Sequence, residues 1–168
     1  MTSCIRIALI GAALAARAWA GESATMRAAD AGVSPAFCQS LRALVDAADK
    51  RFTTLRGRPR PGGEHVWEGT KRLPGAIECT LYGGRAAAYS CVLYAGDVES
   101  NADGTYGRAV SALKDCLPPA WTTSEQVNGT YARTTTAAGT GGPQVRVILR
   151  DASVDAYFVE VWVVAAQR

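Results

Sequence analysis

Cys79-Thr80-Leu81-Tyr82-Gly83-Gly84 is followed, twelve residues on, by Cys91-Val92-Leu93-Tyr94-Ala95-Gly96, the same C-x-L-Y-x-G phrase spelled twice. Ile77 to Tyr82 and Ala88 to Tyr94 are rich in β-formers and flank Gly83-Gly84-Arg85-Ala86-Ala87. They predict a hairpin with a loop of about five residues. If Tyr82 faces Ala88, Cys79 falls directly opposite Cys91. Opposed Cα atoms lie about 4.5 to 5.5 Å apart, which overlaps the reach of a disulfide. Two copies of a phrase are too few for a solenoid.

The meaning of those cysteines depends on the first twenty residues. After Arg6, the run Ile7-Ala8-Leu9-Ile10-Gly11-Ala12-Ala13-Leu14-Ala15-Ala16 carries no charge, and Ala18-Trp19-Ala20 offers small residues where a signal peptidase reads. This predicts a signal peptide over 1–20. Arg17 interrupts the run well short of the roughly 20 apolar residues a membrane span needs, so no stable anchor is expected after cleavage. Cleavage removes Arg6 and Arg17 and takes the formal net charge from +3 to about +1. Such a weak positive balance argues against a nucleic-acid partner.

Cys4 leaves with the leader, and Cys38, Cys79, Cys91 and Cys116 remain, an even set in an exported chain. Two disulfides are expected, in the periplasm or outside the cell. Their spacing lacks the close pairs of a zinc site, so no metal ligand is assigned. Three connectivities are open. One joins Cys38 to Cys116 and Cys79 to Cys91, because antiparallel helices would bring the ends bearing Cys38 and Cys116 together. A rival joins Cys38 to Cys79 and Cys91 to Cys116 and staples each helix to the sheet.

Residues 21–33 are small and polar without a period, which predicts a flexible segment. Ser34-Pro35 is a helix start, with a hydroxyl to cap and a ring preset to helical φ. Phe37, Leu41, Leu44, Val45, Ala48, Phe52 and Leu55 recur at steps of three and four, and Gly57 closes the predicted helix 35–56. Arg58-Pro59-Arg60-Pro61-Gly62-Gly63 predicts a loop, and Trp67 is placed with it. A second helix is expected over 102–116, where Tyr106, Ala109, Val110 and Leu113 repeat the spacing until Pro118-Pro119. Strands are expected at Tyr131 to Thr136, Val145 to Arg150 and Tyr157 to Val164.

The last two strands alternate strictly. A register placing Val145 opposite Val161 puts Val147, Leu149, Val159 and Tyr157 on a core face. The same register sets Arg146 against Glu160 on the other face, beside Ile148, Phe158 and Trp162. That second face is more apolar than a solvated sheet requires, so a helix or a partner is expected to cover it. The order helix, hairpin, helix, three strands predicts an α+β fold: two helices packed on a mostly antiparallel sheet of about five strands, α-β-β-α-β-β-β. Residues 34–168 are read as one disulfide-stabilised domain.

The parts for catalysis are scarce. His65 is the only histidine, and there is no C-x-x-C, no G-x-S-x-G and no G-K-[ST] ending to a glycine-rich loop. Glu99-Ser100-Asn101-Ala102-Asp103-Gly104 opens like a calcium loop, but Val110 stands where the bidentate acid belongs. No catalytic residue and no cofactor is assigned. Fifteen arginines to three lysines, with abundant alanine and glycine, suggest a GC-rich bacterial genome, in which the sequon Asn128-Gly129-Thr130 is fortuitous. Uncommitted aromatics point instead to a non-enzymatic binding module whose partner is another envelope or secreted protein, through Trp67, Phe158 and Trp162. An inhibitor, an immunity protein or an envelope-assembly factor would fit. The rival class is a small exported hydrolase or wall-processing enzyme, which requires a concave pocket with convergent polar groups.

Overall fold

The computed structural model describes residues 34–61, 63–127, 132–153 and 156–167. The expected signal peptide, the 21–33 segment and the sequon lie outside them. Helix α1 runs Pro35–Ala48, with the Ser34 hydroxyl accepting from the Phe37 N–H (3.1 Å) and Pro35 in its first turn. It stops eight residues before the expected end. Arg51 and Phe52 adopt left-handed backbone (φ 53° and 57°), and the Phe52 N–H reaches back to the Ala47 carbonyl. That turn swings the fully buried Phe52 ring under the sheet, 5.6 Å from Tyr89. The apolar period therefore continues past the helix because Phe52 is core, by a route that is not helical.

A short 3-10 turn, Thr53–Leu55, leads into four strands: β1 (Arg56–Pro59), β2 (Val66–Gly69), β3 (Glu78–Tyr82) and β4 (Ala88–Gly96). Helix α2 follows at Glu99–Cys116, with Glu99 favourably placed at its positive N-terminal end and Pro118 beyond its last turn. Four more strands complete the chain: β5 (Thr122–Val127), β6 (Ala132–Ala138), β7 (Gln144–Ser153) and β8 (Ala156–Val164). All eight form one antiparallel sheet in the order β1-β2-β3-β4-β8-β7-β6-β5. The expected sheet of about five strands in the order α-β-β-α-β-β-β is thus incorrect. The chain runs α-β-β-β-β-α-β-β-β-β, and three strands were missed. β1 and β2 lie in what reads as a proline-glycine loop, and β5 is Thr-Thr-Ser-Glu-Gln-Val, which alternates nothing apolar.

The order exposes a repeat. A helix and a four-stranded meander occur twice, and β4 pairs with β8 to join the halves at the middle of the sheet. Phe37, Leu44 and Phe52 recur 69 residues later as Tyr106, Leu113 and Trp121, and Thr53-Thr54 recurs as Thr122-Thr123. The leucine and the threonine pair recur unchanged, while the two aromatic positions keep their aromatic character and change identity.

Both helices pack on one face of the sheet. Phe37, Leu41, Leu44, Ala109 and Leu113 meet Leu81, Tyr89, Val147, Val159, Val161 and Val163, all nearly or wholly buried. Burying each of the valine, leucine and phenylalanine side chains among them contributes about 1.5–3 kcal/mol. Cys38 bonds to Cys116 and ties the N-terminal turn of α1 to the C-terminal end of α2, with Cα atoms 4.8 Å apart. Cys79 bonds to Cys91 across the first hairpin, Cα to Cα 4.1 Å, from directly opposed positions. The β7–β8 register differs from expectation by two residues: Val145 faces Val163, and Arg146 faces Trp162 rather than Glu160. A slide of two leaves every side chain on its own face, so the hydrophobic pattern alone could not detect it.

Candidate functional site

The sheet face opposite the helices is uncovered by any described element. At its middle, β4 contributes the small residues Ala88 and Ser90, flanked by large ones from β3 and β8. Tyr82 and Trp162 lean across this floor and stack on each other, with ring centroids 5.2 Å apart and planes 13° from parallel. Such a pair adds about 0.5–1.5 kcal/mol beyond the area it buries. Small residues on the central strand make the stack possible, since a large side chain there would hold the two rings apart.

Beside the stack, Glu160 is 7% exposed on a face without a helix above it. Its carboxylate accepts from the Trp162 indole N–H (3.2 Å) and from Arg150, whose Nη2 and Nε lie 3.2 Å from Oε1 and Oε2. A buried carboxylate is costly without such partners. The Arg150 guanidinium, 5.3 Å from the centre of the Phe158 ring, also roofs that aromatic. A second pair, Arg60 to Glu78 (2.8 Å), closes the other side. Between them lies an open depression of about 300 Å³, lined also by Thr80, Ser90 and Val92. Burial raises the Tyr82 phenol above its ordinary pKa, Glu160 adds to the rise, and Arg60 partly offsets it.

The expected cover over this face is therefore neither a helix nor, within the chain described, another segment. The face roofs itself: Ser90 and Thr80 are buried beneath Tyr82, Trp162 and the two arginine pairs, while Phe158 and Trp162 stay half-buried. The structure brings Phe158 and Trp162 to one surface. It places Trp67 elsewhere. Trp67 sits in β2 opposite Leu81, on the helix side, packed against the core with the Arg56 guanidinium 3.9 Å above its ring. Gly83 is small for Trp67's sake, since a Cβ there would lie 2.7 Å from the indole. Sequence reasoning missed Tyr82, Arg60, Glu78 and Arg150 as members of the surface. The parity of Tyr82 in the first hairpin would have placed it on the face away from Cys79 and Leu81.

His65 lies just before β2, its ring 6.1 Å from Trp67. Among the described residues no three His, Cys, Asp or Glu side chains gather to hold a metal ion, and no helix is long and apolar enough to cross a membrane. Comparison with protein-family models, with curated proteins and with solved structures gives no match to this chain.

Proposed function

We propose that this chain is an exported, non-enzymatic binding module that docks onto another envelope or secreted protein through its open sheet face. The observation that carries the reading is the Tyr82–Trp162 stack, half-exposed beside Phe158 and framed by two ion pairs on a face that neither helix covers. Aromatic anchors set among polar neighbours are what protein interfaces use for most of their energy. Two disulfides support export, because thiols in the cytosol are kept reduced. An inhibitor, an immunity protein or an envelope-assembly factor would use such a face in the same way.

The hydrolase reading asks for a carboxylate free to move a proton. Both carboxylates lining the depression are engaged by arginines, Glu78 by Arg60 and Glu160 by Arg150. The test is recovery of partners from the native envelope by the mature protein, compared with Trp162→Ala and Trp67→Ala variants that keep their circular dichroism. Trp162→Ala is expected to lose a partner that Trp67→Ala retains. Equal recovery by all three proteins would count against the face.

A further inference from the structure

The two edges of the sheet are built differently. β1 has four residues, a register irregularity and Pro59, all devices that blunt an edge. β5 has six residues, an unbroken register with β6, no proline and one charge, and every one of its residues is exposed. Among the described residues β5 pairs with β6 alone.

Which backbone groups β5 offers follows from the ladder. In an antiparallel sheet each residue turns its N–H and C=O to the same neighbour, and successive residues alternate sides. Ala165 donates to the Ala87 carbonyl (2.9 Å), one step beyond the Ala88–Val164 pair. Carried through the registers of β4–β8, β8–β7, β7–β6 and β6–β5, this alternation points the Thr123, Glu125 and Val127 groups off the sheet. The same alternation, followed the other way, agrees with the Gly83 N–H reaching the His65 carbonyl across β3 and β2.

We propose that β5 is a self-association edge, pairing antiparallel with β5 of a second copy about a two-fold axis at Ser124. Outward groups must meet outward groups, which leaves two registers centred on the strand. One sets Glu125 against the second copy's Glu125, and like charges directly opposite are destabilising. The other sets Ser124 against Ser124, Thr123 against Glu125 and Trp121 against Val127. It juxtaposes no like charges. It also covers Val127, which is 62% exposed, with the half-buried Trp121 that precedes the strand. The axis stands perpendicular to the sheet, so both open faces emerge on one side and the dimer is bivalent for a partner bound there. The dimer itself stands whether or not that face binds.

In this register Ser124 and its mate form the closely spaced, non-hydrogen-bonded kind of pair, the kind that Cys79 and Cys91 occupy with Cα atoms 4.1 Å apart. A Ser124→Cys variant is therefore expected to form a disulfide-linked dimer under mild oxidation, read by non-reducing intact mass and peptide mapping. Gln126→Cys alone faces Thr122 and stays unlinked, whereas mixed Gln126→Cys and Thr122→Cys proteins link. Wild-type protein sediments as a concentration-dependent dimer, and Ser124→Lys, at an exposed position of β5, sediments as a monomer. A wild type that stays monomeric at every concentration overturns the proposal. So does a wild-type dimer in which Ser124→Cys remains a free thiol.

Discussion

Removing the disulfides one at a time separates their contributions in a way the sequence separations fix. Cys38 and Cys116 stand 78 residues apart, while Cys79 and Cys91 stand 12 apart and lie inside that larger loop. Chain-entropy arithmetic gives about 4.5 kcal/mol for the longer closure and about 2.8 for the shorter. With the hairpin bridge intact the outer loop is effectively shorter, which trims its share only slightly, because the dependence is logarithmic. The paired variants Cys38→Ala with Cys116→Ala, and Cys79→Ala with Cys91→Ala, are therefore expected to lose about 4 and about 3 kcal/mol. Cys79, Cys91 and Cys116 are essentially buried and Cys38 only partly, so the cavity cost falls somewhat more on the hairpin variant and narrows the expected gap. Urea titration followed by tryptophan fluorescence and by far-ultraviolet circular dichroism measures both losses. Greater destabilisation by loss of the hairpin bridge than of the interhelix bridge would refute the reasoning.

Gly69→Ala should destabilise by about 1–3 kcal/mol, since its Cβ would sit 2.2 Å from the Tyr89 hydroxyl, and thermal unfolding checks this. Tyr89→Phe should cost about 1–3 kcal/mol, because that hydroxyl accepts from the Lys71 N–H (2.9 Å) and donates to the Lys71 carbonyl (2.7 Å) and would leave both unpaired. Tyr82, Tyr89 and Tyr106 hold their protons above the ordinary 10.0, burial being the first cause in each. An unfolded chain gives those protons up at about pH 10 while the folded one keeps them. Their contribution is complete below that pH and is lost as pH climbs beyond it, less steeply in Tyr89→Phe; stability measured from pH 8 to 11 tests the sign. Trp162→Ala should weaken partner binding by 2 kcal/mol or more, about 30-fold, while Trp67→Ala leaves affinity near wild type, as calorimetry with the recovered partner would show.

What could be read from the sequence was whatever one strand or one helix encodes within itself. The first hairpin's register was legible because its glycine loop and its β-rich arms leave one sensible pairing, and Cys79 does face Cys91. The starts of both helices were approximately legible from their periods. The end of α1 was not, because Phe52 keeps the apolar spacing while leaving the helix through left-handed backbone. β5 carried no signal at all. Its six side chains are exposed, and the alternation that betrays a half-buried strand needs one buried face. β1 was hidden by prolines that an edge strand tolerates, and β2, an inner strand of only four residues, by the proline-glycine run before it and Gly69 within it. The 69-residue repeat went unread because only scattered positions, such as Leu44 and Leu113, are identical, while others, such as Phe52 and Trp121, share only aromatic character.

The candidate surface was half legible for the same reason. Phe158, Glu160 and Trp162 alternate on one strand, so their common face followed from parity. Tyr82 joins them only through the pairing of β4 with β8, which sets the first hairpin beside the last, and Arg60 only because β1 and β2 extend the sheet beyond β3. Arg150 was missed as the partner of Glu160 because the expected register set Arg146 there; in the structure Ile148 lies opposite Glu160, and Arg150, opposite Phe158, reaches the carboxylate diagonally.

The most direct test of the open face as the docking surface is site-specific photocrosslinking in the native envelope. A photoreactive phenylalanine analogue at Arg146, exposed on that face directly across from Trp162, is compared with one at Gln39, exposed on α1. A discrete protein adduct from position 146, with none from position 39, is the predicted result. The same adduct from both positions, or adducts from position 39 alone, would contradict the account.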